Sequence, residues 1–384
     1  MKNALIVTSI AGFLPQFLDN DVKVLREKGY RVHFASDFTN PVYRFDRREL
    51  EERGIVMHPI ILHKKPWHLV KNLIGLIQLA ALIRREEIKL VHCHNPVGGM
   101  LGRMAGQLSG RKPYMLYTAH GFHFFDGAPK VYWSVFYPIE RFLARMTDVI
   151  VTINREDYER AKTFGLREGG RVLLLHGVGL DTNRFHPMPD IRNEVRAEIG
   201  IPSRAFHIVT AAELNDNKNQ ATIIEAISRI KDRMIYYSIC GRGPKREELE
   251  RLIDSLGLSD RVRLLGYRED MERILQSADV FAFPSIREGF GMAAVEALGC
   301  GIPVIAADNR GTREYMHNGD NGIVCMHDDV RAFSDAIVRL KVREDVRKRC
   351  SEQAYRLSKV FWKDSARSTI EAIYDIADER VERK

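Results

Sequence analysis

The sequence lacks any close pairing of its few cysteines. Five occur among 384 residues, and no two of them form a C-x-x-C pair. A disulfide framework and a zinc site built from cysteines are therefore not expected. The short apolar run near the start, Ala4 to Ser9, is better explained as a first buried strand than as a signal peptide. We therefore expect a cytoplasmic protein that is not exported.

Internal repeats and low-complexity tracts are also missing, and acidic residues are the minority among the charges. The formal net charge is +8, which favours an anionic partner such as nucleic acid, a phosphate-bearing substrate or an anionic membrane surface. The basic residues are spread through the chain without an RNA-recognition motif or an aromatic basic stripe. We therefore do not expect nucleic acid as the partner.

What the sequence does contain is an alternation of short apolar runs with helical patterns. Arg31 to Ser36 and Leu90 to His94 are typical of buried strands, Asp19 to Lys28 is typical of a helix, and the alternation restarts at His207 to Ala212. Such alternation predicts parallel sheets with helices on both faces. Because the length exceeds what one core usually serves, we predict two doubly wound, Rossmann-like α/β domains facing each other across a cleft.

The boundary between these domains is predicted within Gly177 to Asp190, where prolines and turn residues interrupt both periodicities. We predict an N-terminal domain at residues 1–184 and a C-terminal domain at residues 185–360. The last segment, residues 361–384, has a long helical pattern and is expected to pack back on the first domain.

The segment PSIREGFGMAAVEALGCGIPVIA is the most informative motif. Glu288 and Glu296 are separated by seven residues, and Gly289 and Gly291 flank Phe290. Free amides at the predicted helix start suit a diphosphate; they belong to Phe290, Gly291, Met292 and Ala293. Glu296, about two turns further along, suits ribose hydroxyls, and Glu288 suits a sugar hydroxyl. Alternatively, Glu288 caps the helix and Glu296 lies on a solvated face.

This motif is accompanied by several others, namely AGFLPQF, YTAHGFHFFDGAP, TINREDYERAK, GVGLDTNRFHP, AAELNDNKNQ and SADVFAFPS. Together they resemble the retaining glycosyltransferases of family 4, a large family with E-x7-E in its second domain. This family includes bacterial enzymes of capsule and exopolysaccharide synthesis. The resemblance covers essentially the whole chain.

The resemblance implies a GT-B fold and a metal-independent transfer of sugar with retention, without a cofactor. The implied donor is a nucleotide diphosphate sugar, with UDP-sugars favoured, and it binds the second domain. The implied acceptor is a glycan, polyprenyl-diphosphate-linked, on the side of the first domain. The implied process is the synthesis of cell-surface polysaccharide.

The resemblance also implies roles for single residues. Glu288 contacts donor-sugar hydroxyls, Glu296 binds ribose, and Lys218 neutralises the leaving diphosphate, a task suited to a cation. His120, which follows the apolar strand Tyr114 to Thr118, reaches the donor sugar. A loop histidine satisfied by backbone is the alternative. The remaining implied contacts are Gly12 beside the phosphates, Gly289 to Ala293 on the donor, and Pro15, Gln16 and Phe17 on the acceptor side.

One position departs from the family pattern. Five residues before Lys218, where most members have a phosphate-binding arginine, this chain has Glu213, whose carboxylate would repel a diphosphate. Glu213 is therefore not assigned to phosphate. An alternative role for Glu213 is to orient Lys218, with Arg242 or Lys245 supplying positive charge.

Further polar residues near strand ends suggest competing roles. His92 and His94 would share one strand face, so a metal site is an alternative to histidines packed beside the cleft, which we favour because zinc needs three or four ligands. Asp19 to Asp21 is interpreted as capping of a helix start.

The stretch His63 to Glu86 combines basic residues, Trp67 and a strongly apolar helix. Its apolar core is too short and its ends too polar for a membrane span. Two interpretations stay open: a buried helix of the first domain, or peripheral contact with an anionic membrane.

Other functions are compatible with the fold. A nicotinamide dehydrogenase needs G-x-G-x-x-G, but the nearest segment, Gly241 to Arg246, has arginine at the third glycine position. A sugar-nucleotide epimerase or phosphorylase of the same fold is a closer alternative. A non-catalytic nucleotide- or RNA-binding subunit is a distant one.

Overall fold

The computed structural model describes residues 2–39, 41–63, 65–177 and 179–382. Lys64 of the basic stretch, Val178 of the GVGLDTNRFHP motif and the last two residues of the predicted C-terminal helix lie outside the described residues. The chain divides into two compact units. The first comprises Met1–Gly179 and Lys363–Lys384, and the second comprises Leu180–Trp362.

The first unit contains a parallel sheet built from the predicted apolar runs. Its strands are β1 (Lys2–Val7), β2 (Tyr30–Ser36), β3 (Val56–Pro59), β4 (Leu90–His94), β5 (Tyr114–Ala119), β6 (Val149–Thr152) and β7 (Arg171–Leu174). The helices between them are α1 (Phe13–Phe17), α2 (Asp19–Glu27), α3 (Arg47–Glu52), α4 (Leu69–Arg85), α5 (Pro96–Leu108), α6 (Lys130–Ala144) and α7 (Arg155–Ala161). The strand order is β3-β2-β1-β4-β5-β6-β7.

The second unit repeats this design. Its strands are β8 (Phe206–Ala211), β9 (Ile235–Cys240), β10 (Val262–Gly266), β11 (Val280–Phe283), β12 (Val304–Ala307) and β13 (Gly322–Cys325), in the order β10-β9-β8-β11-β12-β13. Its helices are α8 (Arg192–Glu198), α9 (Gln220–Ser228), α10 (Arg246–Ser255), α11 (Met271–Gln276), α12 (Met292–Gly299), α13 (Val330–Val342) and α14 (Glu344–Ser358). The last helix of the chain, α15 (Lys363–Glu382), belongs to the first unit.

Both sheets are parallel and reverse their strand order once, between β1 and β4 and between β8 and β11. Apolar side chains cover both faces of each sheet, because successive side chains of a strand point to opposite faces and a strand buried on both sides needs apolar residues at nearly every position. In such sheets ligands bind beyond the carboxyl ends of the strands where the order reverses. The two doubly wound domains predicted from the sequence are confirmed, and these two reversal points are where functional residues are expected.

The stretch His63 to Glu86 forms α4 and the loop before it. The second half of α4 packs into the core through Leu76, Leu79 and Ile83. The first half exposes apolar side chains, so neither of the two interpretations describes the whole segment. Across the part of the chain that the structure describes, no helix is both long and apolar enough to span a membrane.

Candidate active site

In the second unit, the E-x7-E segment forms a loop and the helix that follows β11. The loop ends at Gly291, which has φ of +97°, and α12 begins at Met292. A Cβ atom at Gly291 would lie 2.7 Å from the hydroxyl oxygen of Tyr315. Both the backbone conformation and the lack of space therefore require glycine. The chain turns directly into α12, whose first amides have no acceptor within the helix.

Glu296 lies in the middle of α12 with its side chain half-buried. It is one turn beyond Met292 rather than two, because the residues before Met292 are not helical, so the predicted spacing was wrong. Burial raises the pKa of Glu296 to about 7, against the guanidinium of Arg184 and with the nearby carboxylate of Glu272. Arg184 itself is ion-paired with Glu272 at 2.7 Å.

Lys218 and Glu288 meet at the point where the strand order reverses. Lys218 ends a 3-10 helix, Asp216–Lys218, after β8, while Glu288 lies in the loop after β11. The Lys218 ammonium donates a hydrogen bond of 2.5 Å to the Glu288 carboxylate. No side-chain hydrogen bond caps the start of α12 among the described residues. Glu288 is therefore paired with a cation instead of acting as the helix cap.

Asn217 holds these two loops together. Its carbonyl accepts a hydrogen bond of 2.8 Å from the Ile286 amide, and its side-chain amide donates one of 2.9 Å to the Arg287 carbonyl. Both bonds join Asn217 to the backbone of the segment just before Glu288. These hydrogen bonds join the backbone segments that carry Lys218 and Glu288, and so they hold the two side chains close together.

Glu213 contacts neither Lys218 nor Glu288 through its carboxylate. It is exposed and accepts a 3.0 Å hydrogen bond from the Asn215 side-chain amide. The Asn215 side-chain oxygen in turn accepts one of 3.0 Å from the Lys218 backbone amide. Through these two hydrogen bonds Glu213 supports the turn that carries Lys218.

The two basic residues expected to replace the missing arginine have other partners. Lys245 forms ion pairs with Asp216 at 2.9 Å and with Glu248 at 2.7 Å. The guanidinium of Arg242 lies over the Tyr267 ring, 5.7 Å from its centroid. Lys245 is therefore already paired with two carboxylates, whereas Arg242 contacts an aromatic ring. Arg242 is the more available of the two to bind a phosphate.

The loop after β12 supports the backbone around Glu288, and this contact was not predicted from the sequence. The Asn309 side chain donates to the Ser285 carbonyl at 2.8 Å, and the buried Arg310 donates to the Glu288 carbonyl at 3.3 Å. A Cβ atom at Gly311 would lie 2.8 Å from the Glu288 Cβ. The signal available was the polar run Asn-Arg-Gly-Thr directly after a buried strand, where parallel sheets carry functional loops.

In the first unit, histidines cluster at the carboxyl ends of β4 and β5. The His92 and His94 rings lie 4.1 Å apart, and His94 Nδ1 lies 3.2 Å from His120 Nε2. The Phe13 ring packs edge-on against His120 with centroids 4.8 Å apart. Burial lowers the pKa of His120 to about 4, so this imidazole is neutral near pH 7 and can donate or accept hydrogen bonds.

The residues of the AGFLPQF motif lie in and before α1. Gly12 donates to the Pro41 carbonyl at 3.2 Å, and a Cβ atom on it would lie 2.7 Å from that oxygen, so only glycine fits. Phe17 packs edge-on against Tyr43 with centroids 5.4 Å apart. Pro15 is half-buried, and Gln16 is exposed. Gln16 is thus the side chain of this group most available to a ligand.

His92 is held by protein partners on both ring nitrogens. Its Nε2 lies 2.8 Å from the Thr118 hydroxyl and its Nδ1 lies 2.7 Å from the Tyr374 hydroxyl, which donates to Asp21 at 2.9 Å. Within the described ranges, no group of three histidine, cysteine, aspartate or glutamate side chains is placed to hold a metal ion. The His92 and His94 rings pack against each other.

The predicted capping role of Asp19 to Asp21 was wrong. The residue before α2 is Leu18, and α2 has no side-chain cap in the structure as described. Asp19 pairs with Lys23 and Arg53 instead. Asp21 is buried, which raises its pKa to about 7, and it accepts the Tyr374 hydroxyl. A local sequence pattern cannot show that Tyr374, far along the chain, donates a hydrogen bond to the Asp21 carboxylate.

Comparison with known proteins decides the family. The model for Glycosyltransferase Family 4 matches residues 17–181, and the model for Glycosyl transferases group 1 matches residues 191–357. The chain is 36% identical over 359 residues to the Bacillus subtilis (strain 168) protein named "Putative glycosyltransferase EpsD", covering 92% of this chain and 90% of that one. The chain belongs to the family 4 glycosyltransferases.

Other similarities agree with this assignment. The transferase is 28% identical over 290 residues to the Escherichia coli UDP-Gal:alpha-D-GlcNAc-diphosphoundecaprenol alpha-1,3-galactosyltransferase, covering 73% of this chain and 74% of that one. The crystal structure of Anabaena Alr3699/HepE in complex with UDP and glucose matches with a TM-score of 0.80 at 18% identity, covering 98% and 100% of the two chains. The GT-B fold is confirmed, and the transferase uses a sugar-nucleotide donor.

Proposed function

We propose that this transferase moves a sugar with retention, and without a metal, from a UDP-sugar to a polyprenyl-diphosphate-linked glycan in polysaccharide synthesis. The observation that carries the proposal is the Lys218–Glu288 pair at the reversal point of the second sheet. The choice of UDP is supported by the Anabaena structure with UDP and glucose. The choice of acceptor is supported by the name of the Escherichia coli relative, which specifies a diphosphoundecaprenol-linked sugar.

The donor is proposed to bind the second domain, residues 185–360. The diphosphate accepts hydrogen bonds from the amides at the start of α12, namely those of Phe290, Gly291, Met292 and Ala293, with Gly289 leaving room for its approach. The ribose hydroxyls donate to Glu296. The positive end of the helix dipole favours an anionic ligand here, where Gly291, Met292 and Ala293 are half-buried.

Lys218 and Glu288 are proposed to act on opposite sides of the breaking bond. In their ion pair, each side chain neutralises the charge of the other. When the donor binds, the Lys218 ammonium turns to the diphosphate and the Glu288 carboxylate accepts a hydroxyl of the donor sugar. A preorganised cation stabilises the negative charge that develops on the leaving diphosphate. Lys218 therefore takes the place of a divalent ion in this mechanism.

The transfer itself is proposed to occur on one face of the donor sugar. The acceptor hydroxyl oxygen forms a bond to the anomeric carbon as the bond from that carbon to the β-phosphate oxygen breaks. The proton of the acceptor passes to the leaving phosphate. Because attack and departure share a face, the anomeric configuration is retained.

The first domain, residues 1–184 with the C-terminal helix, is proposed to serve the acceptor. Pro15, Gln16 and Phe17 contact the acceptor, Gly12 lies beside the phosphates, and His120 hydrogen-bonds the donor sugar. The neutral state of His120, which results from burial, suits a hydrogen bond to a sugar hydroxyl because neutral imidazole has one donor and one acceptor.

The exposed half of α4 is proposed to contact the anionic leaflet that holds a lipid-linked acceptor. Val70, Leu73 and Ile77 lie on one helical stripe and are 74%, 58% and 61% exposed. Trp67 and Lys65 stand at the start of this stripe with the ammonium 5.5 Å from the ring centroid. Apolar and aromatic residues beside basic ones are typical of helices that lie in a membrane interface.

The test is release of nucleoside diphosphate from UDP-, GDP- and ADP-sugars, with and without polyprenyl-diphosphate-linked sugars, in EDTA. We expect release from one UDP-sugar that depends on acceptor, and a product whose anomeric configuration, read by NMR, equals that of the donor. Glu288→Gln and Lys218→Met are each expected to lower turnover by about 10²- to 10³-fold. Glu247→Gln, at an exposed position on α10, is the control and should leave turnover unchanged.

Three outcomes would contradict parts of this proposal. Turnover that needs no acceptor would favour an epimerase or a hydrolase. Loss of turnover in EDTA, restored by Mg²⁺, would rule out the metal-independent mechanism. A wild-type protein that binds none of the nucleotides would rule out the donor site at α12.

A further inference from the structure

His94 is buried between two other histidines and has an unusual hydrogen-bond pattern. Its Nδ1 lies 3.2 Å from His120 Nε2, and its ring lies 4.1 Å from that of His92. Its own Nε2 is buried and has no hydrogen-bond partner within the described part of the chain. Burial lowers the pKa of His94 well below its ordinary value, so the ring carries a single proton. The position of that proton decides what His120 can do.

Two arrangements are possible for the pair. If His94 carries its proton on Nε2, a buried N–H group has no acceptor and Nδ1 accepts from His120. If His94 carries it on Nδ1, that group donates to His120 Nε2 and only a lone pair is left without a partner. A buried N–H group without an acceptor is the rarer and more costly case. The second arrangement is therefore the stable one.

His92 cannot change this choice. The Tyr374 hydroxyl donates its hydrogen bond to Asp21, so its oxygen accepts one from His92 Nδ1–H. The neutral His92 ring then uses Nε2 to accept from the Thr118 hydroxyl. Both nitrogens of His92 are occupied, and its ring serves only to hold His94 in place from one side.

We infer that His94 is a positioning residue that fixes His120 in the tautomer with its proton on Nδ1. With Nε2 accepting from His94, the neutral His120 ring must carry its proton on Nδ1, which has no hydrogen-bond partner among the described residues. His120 thereby becomes a donor directed away from His94. This inference rests on the proposed function for its consequence, because the N–H group is offered to an oxygen of the donor sugar.

An isosteric pair of variants tests this role. In His94→Asn the side-chain amide can still donate from about the place of Nδ1, whereas in His94→Asp the carboxylate can only accept. With ¹⁵N-labelled histidine, we expect the wild-type His120 signals, identified by their loss in His120→Gln, to report Nδ1–H. Asparagine should preserve this tautomer and most of the turnover. Aspartate should move the proton to Nε2 or charge the ring, and lower kcat by about 10²-fold.

Each outcome separates the inference from the proposed function. A wild-type His120 with its proton on Nε2 would overturn the inference, as would equal losses of kcat in His94→Asn and His94→Asp when both are folded by circular dichroism. If the aspartate variant does not fold, the wild-type spectrum and the asparagine variant still decide. Full turnover in His120→Gln would contradict the proposed role of His120 without affecting the tautomer result.

Discussion

At the scale of single residues, the raised pKa of Glu296 should make the proposed binding of ribose depend on pH. Burial raises that pKa to about 7, and the ionised carboxylate is the better acceptor for two hydroxyls. Binding should therefore favour the deprotonated form, so the affinity for UDP should rise from about pH 6 to about pH 8. Glu296→Gln should flatten this rise and weaken binding at about pH 8 by tenfold or more, since a hydrogen bond to a charged group contributes about 1.5–3 kcal/mol.

Isothermal titration across this range checks the prediction. The diphosphate also titrates, but it does so equally with both proteins, and the comparison removes its contribution. Glu247→Gln on α10 serves as the matched control and should follow the wild type. Parallel pH curves for wild type and Glu296→Gln would show that Glu296 does not bind the ribose.

Gly291 provides a second prediction at this scale. Alanine there must adopt φ of +97° and place Cβ 2.7 Å from the Tyr315 hydroxyl oxygen. Alanine at Gly257 must also adopt a positive φ, +65°, but a Cβ atom there meets nothing within 4 Å. We expect Gly257→Ala to lower the free energy of unfolding by about 1 kcal/mol, and Gly291→Ala to lower it further and to abolish most turnover.

Urea unfolding and the diphosphate-release assay measure these two variants side by side. Equal losses of stability would mean that the contact with Tyr315 relaxes freely. Retained turnover in Gly291→Ala would mean that the turn into α12 tolerates a side chain, contrary to the proposed approach of the diphosphate.

Some of the candidate site could be predicted from the sequence because its parts are contiguous. Glu288, Gly291 and Glu296 follow one another in a single strand, loop and helix. The pairing of Lys218 with Glu288 joins residues 70 positions apart, and no local pattern contains it. The role of Glu213 could not be predicted from the sequence either. The structure shows that Glu213 is linked to Lys218 by hydrogen bonds through the Asn215 side chain.

At the scale of secondary-structure elements, periodicity predicted α4 but not its surroundings. A strongly apolar helix is compatible with burial on all sides or with an exposed face, because the pattern does not say what covers each side. In the structure, Leu76 and Leu79 face the core, while Val70, Leu73 and Ile77 do not. The exposed stripe is the part for which a membrane contact was proposed.

Charged substitutions on this stripe separate membrane contact from folding. Leu73→Glu and Ile77→Glu should each change the free energy of unfolding by no more than about 0.5 kcal/mol, as expected at exposed positions. Binding to phosphatidylglycerol vesicles, measured by co-sedimentation, should weaken by about tenfold for each, since burial of such a side chain contributes about 1.5–3 kcal/mol.

Val342→Glu controls for the added charge. Val342 ends α13 in the second unit and is 72% exposed, so this variant should bind vesicles as the wild type does. If all three variants lose binding equally, the effect is one of net charge. If Leu73→Glu and Ile77→Glu bind as the wild type does, α4 does not contact the membrane.

At the scale of the whole molecule, the first unit is built from two distant parts of the chain. Ile370, Ile373 and Tyr374 of α15 are buried in the same core as Ile6 of β1. Ion pairs tie the helix to the start of the chain, among them Lys2 with Asp378, Lys28 with Asp375, and Arg367 with Glu27. The first core is therefore incomplete until α15 is in place, whereas the second unit is one continuous segment.

Removal of α15 by ending the chain at Trp362 should therefore affect the two units differently. The truncation exposes the side of the first core that packs against α15 and deprives Asp21 of the Tyr374 hydroxyl. We expect the first unit to be cleaved readily in limited proteolysis followed by mass spectrometry, while fragments of 180–362 persist and still bind UDP. In the full chain, Tyr374→Phe should lower the free energy of unfolding by about 1–3 kcal/mol through the unpaired Asp21 carboxyl and His92 and leave the second unit unchanged.

Equal protection of both units in the truncated chain would show that β1 to β7 and their helices fold without α15. Equal loss of both would show that the second unit depends on the first. The expected result implies that the second unit can complete its fold first during synthesis, because the residues that close the first core are made after it.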